Sequence, residues 1–280
     1  MAADIANSGT LLLALLGLLV GSFLNVLIHR LPKMMELQWT ADCAQASEQS
    51  TPDATPFNLM VPRSACPQCG AAIAWYDNMP LLSYALLRGR CRDCQAPISP
   101  RYPLVELGNA LLFGFCGWHW GLSLAALAWC ALSAALLSLA LIDWDTTLLP
   151  DAIVLPMLWL GLIGAAMGWT GIALEAALWG AVAGYLVLWS VYWAFKLATG
   201  KEGMGYGDFK LLACLGAWFG WSALVPVLLM SSIIGAVVGI VLKFKGGLRE
   251  GGVMPFGPFL VGAGLVTMFW GTAGLAPIIP

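Results

Sequence analysis

Four cysteines stand in two pairs, Cys66-Pro-Gln-Cys69 and Cys91-Arg-Asp-Cys94, with residues 70–90 between them. Two C-x2-C knuckles at this distance match a zinc-ribbon spacing with one extra residue. Each knuckle offers two thiolates from one tight turn, and Gly70 follows the first. Four sulfurs close a tetrahedron around Zn²⁺ with no open position, so the pattern predicts a structural site. Iron and cadmium suit the same soft ligands and stay as lesser options. Disulfides would need an oxidising compartment. Cys43 falls in a Ser-, Thr-, Ala- and Gln-rich stretch (about 37–57) that reads as flexible. Cys116, Cys130 and Cys214 fall in apolar runs, where a thiol serves as a small buried hydrophobe.

The second set of chemical residues is acidic. Asp143 closes an apolar run, and Asp208 opens another, at the end of Gly203-Met-Gly205-Tyr-Gly207-Asp208. A carboxylate beside an apolar span is costly and is by default a functional candidate. Two carboxylates brought within a few ångström cannot both ionise, so one acts as base toward water while the other, protonated, polarises a peptide carbonyl. The competing reading is modest: Asp at a helix start serves as a cap or dipole partner, and that covers Asp208 and Asp151 alike. Asp145 lies two residues from Asp143 on the same segment, and residue type alone does not choose between them. A G-x-G-x-G run also occurs in nucleotide loops, but there it follows a strand, and here it lies between apolar helices.

These residues need membrane helices to position them. Of the 280 residues, 60% are hydrophobic and 10% charged, with a mean hydropathy of +0.83. That composition excludes a soluble globule, a disordered chain and a fibrous protein. A net charge of −2 leaves no basic face for nucleic acid. The thirteen Lys and Arg cluster at 30–33, 63, 88–101, 196–210 and 243–249. Between them lie apolar runs near bilayer length, at about 9–29, 104–120, 122–142, 152–169, 171–195, 209–220, 222–242 and 253–272. Eight crossings with the N-terminus outside put all thirteen basic residues in the cytoplasm. The uncharged stretch from Leu211 to Leu242 must cross an even number of times, which favours a hairpin broken near Gly216, Gly220 or Pro226; seven crossings stay as an alternative. The first run is too long for a signal peptide and lacks a cleavage site before Arg30, so it reads as a retained anchor. The expected fold is an all-α polytopic membrane protein of about eight transmembrane helices with a small zinc-binding cytoplasmic domain. Its parts are a first transmembrane helix (1–31), a zinc-binding loop domain (32–103) and a membrane core (104–280).

Taken together, the motifs resemble the bacterial type IV prepilin leader peptidases, bifunctional prepilin peptidase/N-methyltransferases of type IV pilus and type II secretion systems. The resemblance runs from end to end. It includes Gly21-Ser-Phe-Leu-Asn-Val, both knuckles, Trp75-Tyr-Asp-Asn-Met-Pro-Leu-Leu-Ser-Tyr, Leu87-Arg-Gly-Arg-Cys and Ile98-Ser-Pro-Arg-Tyr-Pro-Leu-Val-Glu106. It continues through Asp143-x5-Leu-Pro-Asp151, Gly205-Tyr-Gly207-Asp208-Phe-Lys and Pro255-Phe-Gly-Pro258. The family is similar in mechanism to presenilin, a G-x-G-D aspartyl protease. The resemblance implies that Asp143, eight residues before Asp151, and Asp208 are the catalytic pair. It implies removal of a basic leader from prepilins and pseudopilins, after a Gly at the cytoplasmic edge of their apolar helix. It also implies N-methylation of the new N-terminus from S-adenosylmethionine, which goes with the presence of Cys66, Cys69, Cys91 and Cys94. The location implied is the bacterial inner membrane with the active site facing the cytoplasm.

No residue is assigned to the S-adenosylmethionine site. Glu106 is a candidate for holding the substrate amine, with a helix-start carboxylate near Arg101 as the equal alternative. A transporter or channel with a zinc-stabilised regulatory domain is the rival function class; it would show charges at mid-membrane or matching halves, and neither is present. A non-enzymatic assembly scaffold would have no need of two edge aspartates. His29 and His119 stand alone near span ends, and the fourteen Trp read as interface anchors and packing. The specific pilin and the oligomeric state are left open.

Overall fold

The computed structural model describes residues 2–47, 56–245 and 254–271. Helices dominate, and among the described residues the β features are two isolated bridges. In chain order the helices are α1 (Ala2–Ala46), the short α2 (Leu82–Leu86), α3 (Arg101–Trp120), α4 (Leu124–Thr146), α5 (Asp151–Ala166), α6 (Leu174–Thr199), α7 (Tyr206–Phe219), α8 (Leu224–Phe244) and α9 (Gly257–Trp270). Apart from α2, each falls on one of the expected apolar runs. Four stretches are long and apolar enough to cross a membrane: Ser8–Ala46, Leu124–Thr146, Leu174–Thr199 and Trp221–Phe244. Asp151–Ala166 and Gly257–Trp270 are shorter apolar helices. Large apolar side chains such as Leu19 and Ile233, each 62% exposed, stand on outer faces, as lipid-facing helices require.

The stretch after Lys210 divides into two helices as expected. Gly220, at φ +81°, ends α7, and a 3-10 turn (Trp221–Ala223) leads into α8. Two boundaries differ from the sequence expectation. Helix α1 runs on through Pro32 to Ala46, so most of the first half of the stretch read as flexible is helical. Residues Met34–Gln38 are helix formers, and loss of hydropathy alone does not end a helix. The rest of that stretch, residues 48–55, and the basic Arg249 lie outside the described residues.

The chain forms two compact units, 1–130 and 131–280. In the first, α1 packs along α3, with Gly17 against Ala110 and Gly21 against Glu106. Asn109, fully buried, donates to the Gly17 carbonyl at 2.7 Å. Arg30 of α1 donates to the Asn58 and Leu59 carbonyls and so ties the helix to the knuckle-bearing segment. In the second unit, α7 is the central element. Its residues from Asp208 to Phe219 are buried except Lys210, and it packs against α5, α6 and α9. A helix apolar all round belongs in a core. Against α6 the approach is backbone on backbone: a Cβ on Gly180 would meet the Gly216 carbonyl, and one on Gly216 the Gly180 carbonyl. On the other side Trp218 donates to the Met157 carbonyl of α5 at 2.8 Å.

Candidate active site and candidate metal centre

Asp143 lies in the last turn of α4 and is buried, at 4% exposure. Asp145 lies on the same turn and is exposed. Two residues are about 200° apart around a helix, so the two carboxylates face opposite ways. Helix α4 then stops at Thr147, a β-branched residue at φ +57°, whose N–H donates to the Asp143 carbonyl. Left-handed backbone at such a residue costs on the order of 1–3 kcal/mol and clusters at functional sites.

Asp208 is the third residue of α7, behind its N-cap Gly205, and is 7% exposed. Its carboxylate accepts from the Gly205 backbone N–H, the reach-back of a capping box. The cap therefore uses part of the group. Oδ1 is buried with no hydrogen-bond partner among the described residues. The two carboxylates lie within electrostatic range of each other. Asp143 Oδ2 in turn accepts the Gly257 N–H at 2.9 Å, at the first residue of α9, where the helix dipole favours negative charge.

Three separate sequence segments thus converge. Leu149, from the loop after Asp143, packs against Gly207 of the G-x-G-D segment and approaches Gly257 of Pro255-Phe-Gly-Pro258. A Cβ on Gly257 would stand 2.6 Å from Asp143 Oδ2, so the close approach of α9 to Asp143 requires glycine there. Lys210, two residues after Asp208, binds both oxygens of Asp151 at 2.8 and 2.7 Å and links the first turns of α7 and α5. Reading the sequence placed Asp151 as a motif marker and missed the contributions of Lys210, Leu149 and Gly257. Each lies inside a motif segment, which was the available signal.

In the first unit the four cysteines come together. The sulfurs of Cys66, Cys69, Cys91 and Cys94 all lie within 4.8 Å of one another, and none of the cysteines forms a disulfide. A regular tetrahedron with Zn–S of about 2.3 Å has edges of about 3.8 Å. Cys66 and Cys94 are 3.8 Å apart. The donor set and its spacing therefore fit a metal ion.

The knuckles are built alike: Cys66 N–H donates to Ala71 and Cys91 N–H to Ala96, with bridges Ala65–Ala72 and Arg90–Pro97 outside them. The residue after each second cysteine is left-handed, Gly70 at φ +71° and Gln95 at +58°. N–H groups of Cys69 and then Gln68 aimed at the Cys66 sulfur pull its thiol down to about 7, whereas at Cys69 the Ala71 N–H is outweighed by desolvation and the neighbouring cysteine sulfurs, which push that thiol up. Arg92 makes a two-pronged ion pair with Asp77 and lies over the Tyr76 ring, holding the second knuckle to the Trp75–Asn78 turn. Glu106, 8% exposed, accepts the Leu81 N–H at 2.9 Å, where Leu81 sits at φ +56°. That contact gives Glu106 a structural partner in the loop.

Comparison with known proteins agrees with this division. Residues 15–120 match the bacterial peptidase A24 N-terminal domain, and residues 130–240 match the type IV leader peptidase family. The chain is similar to the prepilin leader peptidase/N-methyltransferase of Pseudomonas aeruginosa, 53% identical over 92% of this chain and 89% of that protein. It is also 53% identical to that of Stutzerimonas stutzeri, over 91% of this chain and 89% of that protein. To that of Burkholderia pseudomallei (strain 1026b) it is 51% identical, over 92% of this chain and 84% of that protein. No solved structure matches. With relatives this similar across nearly its whole length, and with the residues of the family's two segments gathered into two compact units, the chain belongs to the type IV leader peptidase family.

Proposed function

We propose that this chain removes the basic leader from prepilins and pseudopilins with Asp143 and Asp208, and methylates the new N-terminus with S-adenosylmethionine. The observation that carries the peptidase half is the burial of two carboxylates in one site, each held by a backbone N–H at a helix start. Asp143, beside the Gly257 N–H, is the base: it takes a proton from water as the oxygen attacks the scissile carbonyl carbon. Asp208 holds the shared proton and gives it to the carbonyl oxygen, forming a gem-diol. The C–N bond then breaks as Asp143 passes its proton to the leaving nitrogen and a diol hydroxyl returns one to Asp208. The products are a free carboxyl on the leader and a free amine on the mature chain.

S-adenosylmethionine, when bound, supplies the methyl group that replaces a proton on that amine. No strand-and-glycine-loop nucleotide site occurs among the described residues, so no side chain is assigned to the donor. The four cysteines hold one structural zinc within a cytoplasmic domain of about 32–103. The chain crosses the inner membrane eight times, with 104–280 as the peptidase core and the dyad at the cytoplasmic face. Placement of every Lys and Arg on that side supports this topology.

The test is cleavage of a prepilin in detergent or liposomes by wild type, Asp143→Asn and Asp208→Asn, with methylation of a pre-cleaved pilin followed alongside. Both variants are expected to lose cleavage and keep methylation. Normal cleavage by either removes that aspartate from the dyad.

A further inference from the structure

A cavity of about 660 Å³ opens in the second unit between α6 and α8. Leu188 and Val191 line it from α6, Ser232 and Ala236 from α8, and Met204 and Phe256 from the intervening loops. Among the described lining residues, the polar ones are Ser232 and Lys243. Along α8 it reaches from Leu228 to Lys243, about 22 Å at 1.5 Å per residue. That length suits about four turns of another helix.

Two features indicate what fills it. First, two lining residues belong to the segments that carry or contact the dyad. Met204 lies inside Gly203-Met-Gly205-Tyr-Gly207-Asp208, and Phe256 immediately precedes Gly257, whose N–H is on Asp143. Second, the wall on α8 is made of small residues at helical spacing, which lets a helix backbone approach closely. Gly235 and Gly239 already carry Phe259 and Met254, so the open part of that wall is Ser232 and Ala236, both exposed. An apolar, helix-length groove that ends beside the cutting site is placed to hold the apolar segment attached to the scissile bond.

We propose that this groove seats the substrate's apolar helix, the segment on the C-terminal side of the cut, and so sets which peptide bond meets the dyad. The inference rests on the peptidase reading above.

Filling the groove tests it. Ala236→Trp is expected to raise KM for a full-length prepilin about tenfold or more with a smaller change in kcat, whereas Val241→Trp on the opposite, exposed face of the same helix leaves both unchanged. Benzoylphenylalanine at position 236 is expected to cross-link to the prepilin, and at position 241, on the opposite face of α8, only to lipid. Equal kinetics for the two Trp variants, or acyl-chain labelling alone at 236, overturns the groove. The cross-link is read on bound substrate whether or not it is cut. Cross-linking by the benzoylphenylalanine-236 variant, together with no cleavage by the wild type, therefore defeats the peptidase reading and leaves the groove standing.

Discussion

At the level of single residues, the candidate site depends on how little space surrounds Asp143. Gly257 brings its N–H to Oδ2 because it has no Cβ, and an added methyl would stand 2.6 Å from that oxygen. Gly257→Ala is therefore expected to displace the carboxylate and lower cleavage about 100-fold in a protein that still folds, checked by initial rates beside a thermal melt. The pair also predicts a bell-shaped pH profile. Below the lower limb both carboxylates are protonated and there is no base; above the upper limb both are ionised and there is no acid. The two apparent pKa values belong to the pair, and kcat/KM against pH reads them. In the metal centre, Gly70 and Gln95 occupy the same left-handed position. Gly70→Val is expected to cost about 1–2 kcal/mol and to weaken metal retention, while Gln95→Gly retains it, measured by competition with a chelator.

At the level of elements, α7 decides the geometry of the peptidase unit. It delivers Asp208 at its third residue while its remaining turns are locked between α5, α6 and α9. The lock against α6 has no room for side chains at Gly180 and Gly216. Gly216→Val is expected to prevent stable packing, read as loss of folded protein after extraction, whereas a change at exposed Asp145 leaves folding and cleavage intact. The Lys210–Asp151 pair ties the start of α7, which carries Asp208, to the start of α5. Being part-exposed it contributes little to global stability, and its role is to hold position. Helix α1 shows the complementary lesson: polar residues mark where an apolar run stops, and the helix itself continues to Ala46.

At the level of the molecule, the two units divide the chemistry, with the four-cysteine cluster in 1–130 and both aspartates in 131–280. The segment bearing the cysteines has little core of its own, so a metal held by them would contribute directly to its folding. Removing the ion with a strong chelator is expected to release one zinc per chain and to open residues 56–100 to protease while α4–α9 stay resistant. Acid acts in the same direction. Arg92 holds the Asp77 carboxyl below its ordinary value, so the stability this pair adds is present above the unfolded carboxylate range. That stability is lost as pH falls through the lowered value.

Residue type, spacing and charge placement were enough to recover the apolar helices, the two knuckles and the break after Lys210. These are local properties: hydropathy sets helix number, and C-x2-C sets a turn. Choosing Asp143 over Asp145 without a family resemblance needed the fold, because only packing shows which face of α4 is buried. The fold was equally needed for the Gly257 N–H on Asp143, the Lys210 clamp and the groove beside Phe256. Each joins residues far apart in the chain. Their proximity follows from how closely glycine-bearing helices can approach, a property of pairs of surfaces that no single segment contains.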